Sequence, residues 1–274
     1  MDERVVVITG ASDGIGAAAA RLLRARGDRV ILVGRSAAKT EAVARELESP
    51  FYLCDFANLD QVRSLGERLS TDLARIDVLA NNAGGVMGGR LLTVDGNELT
   101  IQVNHLAPFL LTNLLLNTLI ASGASVIATS SLINRRAGKI DLDDLTLAHG
   151  YSAQDAYAKA KLMNILFARE LHQRYHAHGL RAAAFNPGVV RTGFSSEFGG
   201  SFSFVYSSVL RNLLRSPTKG AETLVWLAST EPDDEWRSGE YFHDKKVAKA
   251  NHQAYWPSLA SGLWDRSLEI TGLR

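Results

Sequence analysis

Short β-branched runs alternate with longer amphipathic segments along most of the chain. Apolar runs of strand length fall at 5–9, 29–33, 50–54, 78–81, 125–129 and 180–186, with a last one near Tyr241. Between them apolar residues recur at helical spacing, at 15–26, 37–48, 59–73, 96–120, 153–178 and 219–229. Repeated strand–helix units feed a parallel sheet, and right-handed crossovers put helices on both of its faces. The pattern therefore predicts an α/β protein, one doubly wound domain over 1–274 with a seven-stranded, mainly parallel sheet. No fixed repeat, charge block or low-complexity linker marks a second domain.

Composition narrows the function. A chain of 274 residues buries a core without disulfide or metal staples. Its 30 Lys+Arg against 29 Asp+Glu give no electrostatic reason to expect nucleic acid or an anionic surface as partner. A single cysteine, Cys54, excludes an intrachain disulfide and a thiolate cluster, and suits a reducing compartment. The most lipid-like stretch, 110–120, is interrupted by Asn113 and Asn117 and falls short of the ~20 apolar residues a membrane helix needs. No secretory signal leads into Val5. The expectation is a cytoplasmic protein without a membrane anchor, acting on a small molecule.

The first strand runs into Thr9-Gly10-Ala11-Ser12-Asp13-Gly14-Ile15-Gly16 and at once into a helix. Glycines in that setting let backbone approach a pyrophosphate, whose charge meets the free N–H groups at the helix start. About 20 residues on, the second strand ends in Val33-Gly34-Arg35, where a dinucleotide fold reads the adenine ribose. A carboxylate there bonds the 2′-hydroxyl of NAD; the Arg35 guanidinium instead suits a 2′-phosphate, so NADP(H) is expected in preference to NAD(H). Asp13, inside the loop, argues weakly the other way.

Three further motifs follow: Asn81-Asn82-Ala83-Gly84, Tyr157-x-x-x-Lys161 and Asn186-Pro187-Gly188. In this order, after the glycine loop, they resemble the short-chain dehydrogenase/reductase family. Asn104-His105-Leu106, Ser130-Ser131-Leu132, 140–145, 238–242 and Leu263-Trp264 are similar to its retinol-dehydrogenase-like branch. The resemblance implies a Rossmann fold and an oxidoreductase acting on a carbonyl or its alcohol. It also implies that Asp55 and Phe56 contact adenine, that Asn82, Ala83 and Gly84 approach the adenosine ribose, and that Val190 and Thr192 hold the nicotinamide carboxamide or diphosphate.

Tyr157 and Lys161, four apart in a helical pattern, share a face. A phenol ordinarily ionises near pH 10, so it works as a base at neutral pH only beside a cation. Tyr157 then serves as general acid in reduction and general base in oxidation. Tyr151 is a competing phenol, disfavoured by the charge of Asp155 four residues on. The resemblance assigns Ser131 to the substrate oxygen, Lys161 to the nicotinamide ribose, and Asn104, which it implies disturbs its own helix, to a water that links Lys161 to solvent.

Residues 193–215 carry Phe194, Phe198, Phe202, Phe204 and Tyr206, and read as a substrate lid favouring a small apolar carbonyl or alcohol; an oligomer interface is the other use of such a segment. No charged residue marks an anionic substrate. His172, His176 and His178 lack an adjacent glutamate and a third ligand, so no metal is expected. A catalytically silent dinucleotide-binding regulator is the alternative to an enzyme; a methyltransferase leaves Tyr157 and Lys161 unexplained.

Overall fold

The computed structural model describes residues 3–190 and 214–274. In chain order the elements are β1 (Val5–Thr9), α1 (Gly14–Arg24), β2 (Arg29–Gly34), α2 (Ala37–Leu47), β3 (Phe51–Leu53), α3 (Leu59–Asp72) and β4 (Val78–Asn81). There follow α4 (Leu99–Ile101), α5 (Ala107–Leu114), α6 (Leu116–Ala121), β5 (Ser125–Thr129), α7 (Ala153–Tyr175), β6 (Arg181–Asn186), α8 (Pro217–Ser229), β7 (Tyr241–His243), β8 (Lys246–Val247) and α9 (Pro257–Ile270). The strands form one sheet in the order β3-β2-β1-β4-β5-β6-β7-β8. All neighbours are parallel except β7 and β8.

Strand alternation divides the core. Val5, Val7, Ile31, Val33, Leu79 and Val126 face α3, α5, α7 and α9, whereas Val6, Ile8, Leu32, Ala80 and Ile127 face α1 and α8. Small residues dominate the second face, where Ala17, Ala18, Ala19, Ala20, Ala221 and Ala228 allow helices to lie close to the sheet. The first face is bulkier: Trp264 of α9 stacks on Phe167 of α7 at 5.9 Å and meets Phe109 of α5 edge-on at 5.0 Å. Among the described residues no helix is long and apolar enough to cross a membrane.

Three features depart from the sequence reading. The sheet has eight strands, not seven: Asp244 and Lys245, with φ of 49° and 61°, make a two-residue turn that adds antiparallel β8. The helix that the spacing predicts over 96–120 is broken, at Asn104 where the resemblance implied a disturbance. A π turn spans Gln102–Leu106, and Pro108, lacking an N–H, follows it in the first turn of α5. Finally α9 was not anticipated, because its buried stripe of Ala260, Leu263 and Trp264 ends in a polar residue, Ser267, which bonds inward to His105 at 3.1 Å.

Candidate active site

The carboxyl ends of β1, β2, β4, β5 and β6 open onto one cavity of about 1060 Å³. The strand order reverses between β1 and β4, the point where such sheets hold ligands. On the β2–β3 side the cavity is lined by Gly10, Ser12, Asp13, Gly14, Ile15, Arg35, Asp55 and Phe56. Asn82, Ala83 and Gly84 line its middle, and Ser131, Tyr157, Lys161 and Val190 the β5–β6 side.

The glycine loop has the shape of a cradle. Gly10 turns at φ +66°, and a Cβ on Gly16 would run into the Gly10 carbonyl oxygen, so α1 starts hard against the end of β1. Gly16 is thus buried behind the loop and shapes the cavity without lining it. Asp13 caps α1, accepting from Gly14 N at 2.7 Å, and pairs with Lys39 at 2.9 Å. Lys39, through its hydrogen bond, is the main reason the Asp13 carboxyl is held below its ordinary range. The negative charge that spoke against a second phosphate is therefore neutralised. Arg35 is exposed at the cavity wall and makes no hydrogen bond or ion pair among the described residues.

Asn82 holds β4 to β1, donating to Thr9 O at 3.0 Å, while Thr9 Oγ1 accepts from Asn82 N and Ala83 N, each at 3.0 Å. Asp55 Oδ1 accepts from Ala57 N at 3.0 Å. Ile15 packs against the core beneath α1 and α8, and its side chain and that of Val190 lie against Gly220. Thr192 and the aromatic residues of the expected lid lie outside the described residues.

At the other side, Tyr157 and Lys161 occupy one face of α7, with the ammonium 5.3 Å from the phenol ring centre. Lys161 is 3% exposed and donates to Thr129 O at 3.1 Å. Burial pulls its ammonium down to about 7. Both neighbouring serines reach the cavity just past the end of β5, but their hydroxyls differ: Ser130 Oγ is spent donating to Lys161 O at 2.7 Å, whereas Ser131 caps a short 3₁₀ turn, Leu132–Arg136. Asn104 is fully buried in the π turn: its amide donates to Thr100 O at 2.8 Å and Gly85 O at 2.7 Å and accepts from Gly85 N at 3.0 Å. It braces the cavity floor and does not line the wall.

Tyr151 is disfavoured as the reading expected, for a different reason. Burial and Glu98, whose Oε1 lies 3.4 Å from the hydroxyl, push the phenol up; Asp155 is paired with Lys159. Cys54 is buried and its thiol is pushed up to about 12, so it is a poor nucleophile. His172 and His176 bond to Ser238 and Asp233.

Sequence reasoning passed over several residues of the site. Lys39, four residues after Arg35, was findable from that spacing. Asn134 was not. Completely buried, it donates to Ser131 O at 2.6 Å and Tyr241 Oη at 3.2 Å and accepts from Asn251 N at 2.9 Å, and so anchors the turn that carries Ser131. Arg135 and Arg136, also on the cavity wall, gave no sign beyond being a basic pair after Ser131.

A glycine cradle at a sheet's switch point, facing a tyrosine and lysine on one helix, defines a dinucleotide-linked oxidoreductase class. Comparison with known proteins agrees: residues 4–200 match the short chain dehydrogenase family profile, and the chain belongs to that family. It is 41% identical to a Streptomyces sp. (strain C5) protein named as a daunorubicin C-13 ketoreductase, DnrU, over 98% of this chain and 93% of that one. Human retinol dehydrogenase 14 is 34% identical over 100% of this chain and 88% of its own, which places the chain in the retinol-dehydrogenase-like branch. A short chain dehydrogenase from Shigella flexneri, solved with NADP, superposes with a TM-score of 0.67 at 26% identity, covering 88% of this chain and 97% of that chain.

Proposed function

We propose that this oxidoreductase is NADP(H)-dependent and interconverts an apolar aldehyde or ketone and its alcohol, with Tyr157 as general acid and base. The observation that carries this reading is that Tyr157, Ser131 and Lys161 line the same cavity as the glycine loop and Arg35. A nicotinamide dinucleotide held by the glycine loop and Lys161 would supply or accept the hydride. The Tyr157 hydroxyl gives its proton to the carbonyl oxygen in reduction and takes the alcohol proton in oxidation. Ser131, fixed at the head of its 3₁₀ turn, donates to the same oxygen as negative charge develops there.

Lys161 supports the phenolate electrostatically, and its low ionisation range in the bare cavity makes its charge sensitive to what occupies the site. Negative charge held in the cavity would favour the charged ammonium of Lys161. Asn104 holds the Gly84-Gly85 strip beside Lys161. Arg35 takes the 2′-phosphate of NADP, and Lys39, by pairing with Asp13, removes the negative charge that would oppose it. The NADP held by the Shigella relative supports this choice. Asp55 and Phe56 serve adenine, and Asn82, Ala83 and Gly84 the adenosine ribose; Val190 serves the nicotinamide half. Val86, Met87, Leu132, Ile133 and Val189 give the substrate side an apolar lining.

The test is oxidation of NADPH and of NADH against a panel of apolar aldehydes and ketones. NADPH is expected to be the better donor, and turnover is expected with at least one carbonyl. A preference for NADH that survives Arg35→Ala overturns the cofactor assignment. Tight cofactor binding with no turnover across the panel overturns the enzymatic reading in favour of a regulator.

A further inference from the structure

The charges on the cavity wall are unevenly placed. Its two carboxylates, Asp13 and Asp55, lie on the β2–β3 side, where Arg35 and Lys39 accompany them. On the β5–β6 side every described charged group on the wall is a cation: Lys161, Arg135 and Arg136. Arg135 is pinned, donating from Nε to Lys249 O at 3.0 Å. Arg136 is exposed and makes no hydrogen bond or ion pair among the described residues. Nearby Lys139 and Lys249 are likewise exposed and unpaired with carboxylates among those residues. Asp155, the carboxylate that accepts from Gly138 N at 2.8 Å, is already held by Lys159.

This asymmetry matters because the apolar lining leads toward it. Leu132 and Ile133 stand on the same 3₁₀ turn, between Ser131 at its head and Arg136 at its end. At ~2 Å rise per residue, that turn separates the Ser131 and Arg136 backbones by about 10 Å. Resting on the reading that Ser131 and Tyr157 meet the reacting oxygen, we propose that Arg136 makes this enzyme selective for carbonyl substrates that carry a carboxylate at the far end of an apolar chain. The planar guanidinium offers two parallel donors that match a carboxylate, and the surrounding cations draw anions to the mouth. Arg136 is thus a specificity-determining residue, apart from the chemistry.

The experiment compares ω-oxo acids from hexanoate to dodecanoate with their methyl esters, reading kcat/KM with NADPH. Wild type is expected to favour the acid about tenfold at one optimal chain length, and less at high salt. Arg136→Ala removes the preference while ester turnover and NADPH affinity stay within about twofold; Arg136→Lys keeps part of it. Equal rates for acid and ester in wild type overturn the proposal. So does an equal loss on both in Arg136→Ala, or a fall in NADPH affinity with the acid preference intact, which assigns Arg136 to the cofactor. If neither compound is reduced, the reading of Tyr157 has failed on these probes. Calorimetry of decanoate against decanol on the NADP⁺-loaded protein then decides, with equal affinity overturning the role of Arg136 and a decanoate preference that Arg136→Ala abolishes supporting it.

Discussion

The two sides of the cavity are built by opposite means. The β2–β3 side, with Arg35, Lys39 and Asp13, is exposed, charged and assembled from residues near one another in sequence. Beneath the exposed arginines at its mouth, Arg135 and Arg136, the β5–β6 side is buried: Asn104, Asn134, Ser130 and Lys161 bond to backbone carbonyls and amides. A solvated side can discriminate a charge at low structural cost, because water compensates when the ligand is absent. A buried side holds geometry, and changes there act on turnover and can move stability in either direction.

Variants that divide these properties test the contrast. Tyr157→Phe removes only the hydroxyl, and its kcat is expected to fall about a thousandfold with the NADPH dissociation constant within about twofold, read by absorbance and fluorescence titration. A larger loss of cofactor affinity than of turnover breaks the contrast. Lys161→Met is expected to abolish turnover yet stabilise the ligand-free protein by on the order of 2–4 kcal/mol, seen as a higher Tm. The sign follows from burial. With its ammonium pulled from 10.5 to about 7, Lys161 binds fewer protons in the folded than in the unfolded protein across that window. Stability of the ligand-free wild type therefore rises with pH between those values, and Lys161→Met flattens that part of the profile.

On the exposed side effects are smaller and selective. Arg35→Ala is expected to lower kcat/KM for NADPH about tenfold and leave NADH nearly unchanged. An equal loss with both donors removes Arg35 from the 2′-phosphate site. Asp13→Asn keeps the helix cap and frees Lys39, so NADPH affinity is expected to rise about twofold, with the gain lost in high salt. A fall in affinity without a change in Tm breaks the account of the Asp13–Lys39 pair.

The same contrast explains what the sequence disclosed. The glycine loop, Arg35 and the Tyr157–Lys161 pair were legible because the residues of each lie within one loop or one helical turn. The parallel core of the sheet was legible for a similar reason, from apolar runs on β1, β4 and β5. Asn134 was not, since its partner Asn251 is 117 positions away. Antiparallel β8 escaped because its turn is Asp244-Lys245, whereas such turns ordinarily advertise themselves with glycine or asparagine. The break at Asn104 was implied by the family resemblance alone, because apolar residues continue through the π turn at helical spacing.

Trp264 carries one more consequence, for the order in which the molecule is made. The aromatic side chains Phe167 and Tyr175 of α7 are covered by α9 through Trp264. Translation yields the glycine loop well before residues 257–270. During synthesis the nucleotide half can collapse early, while the helix bearing Tyr157 waits with an uncovered aromatic patch until α9 emerges. A nascent chain stalled before Trp264 is therefore expected to engage holding chaperones through that patch, and to release them once α9 docks.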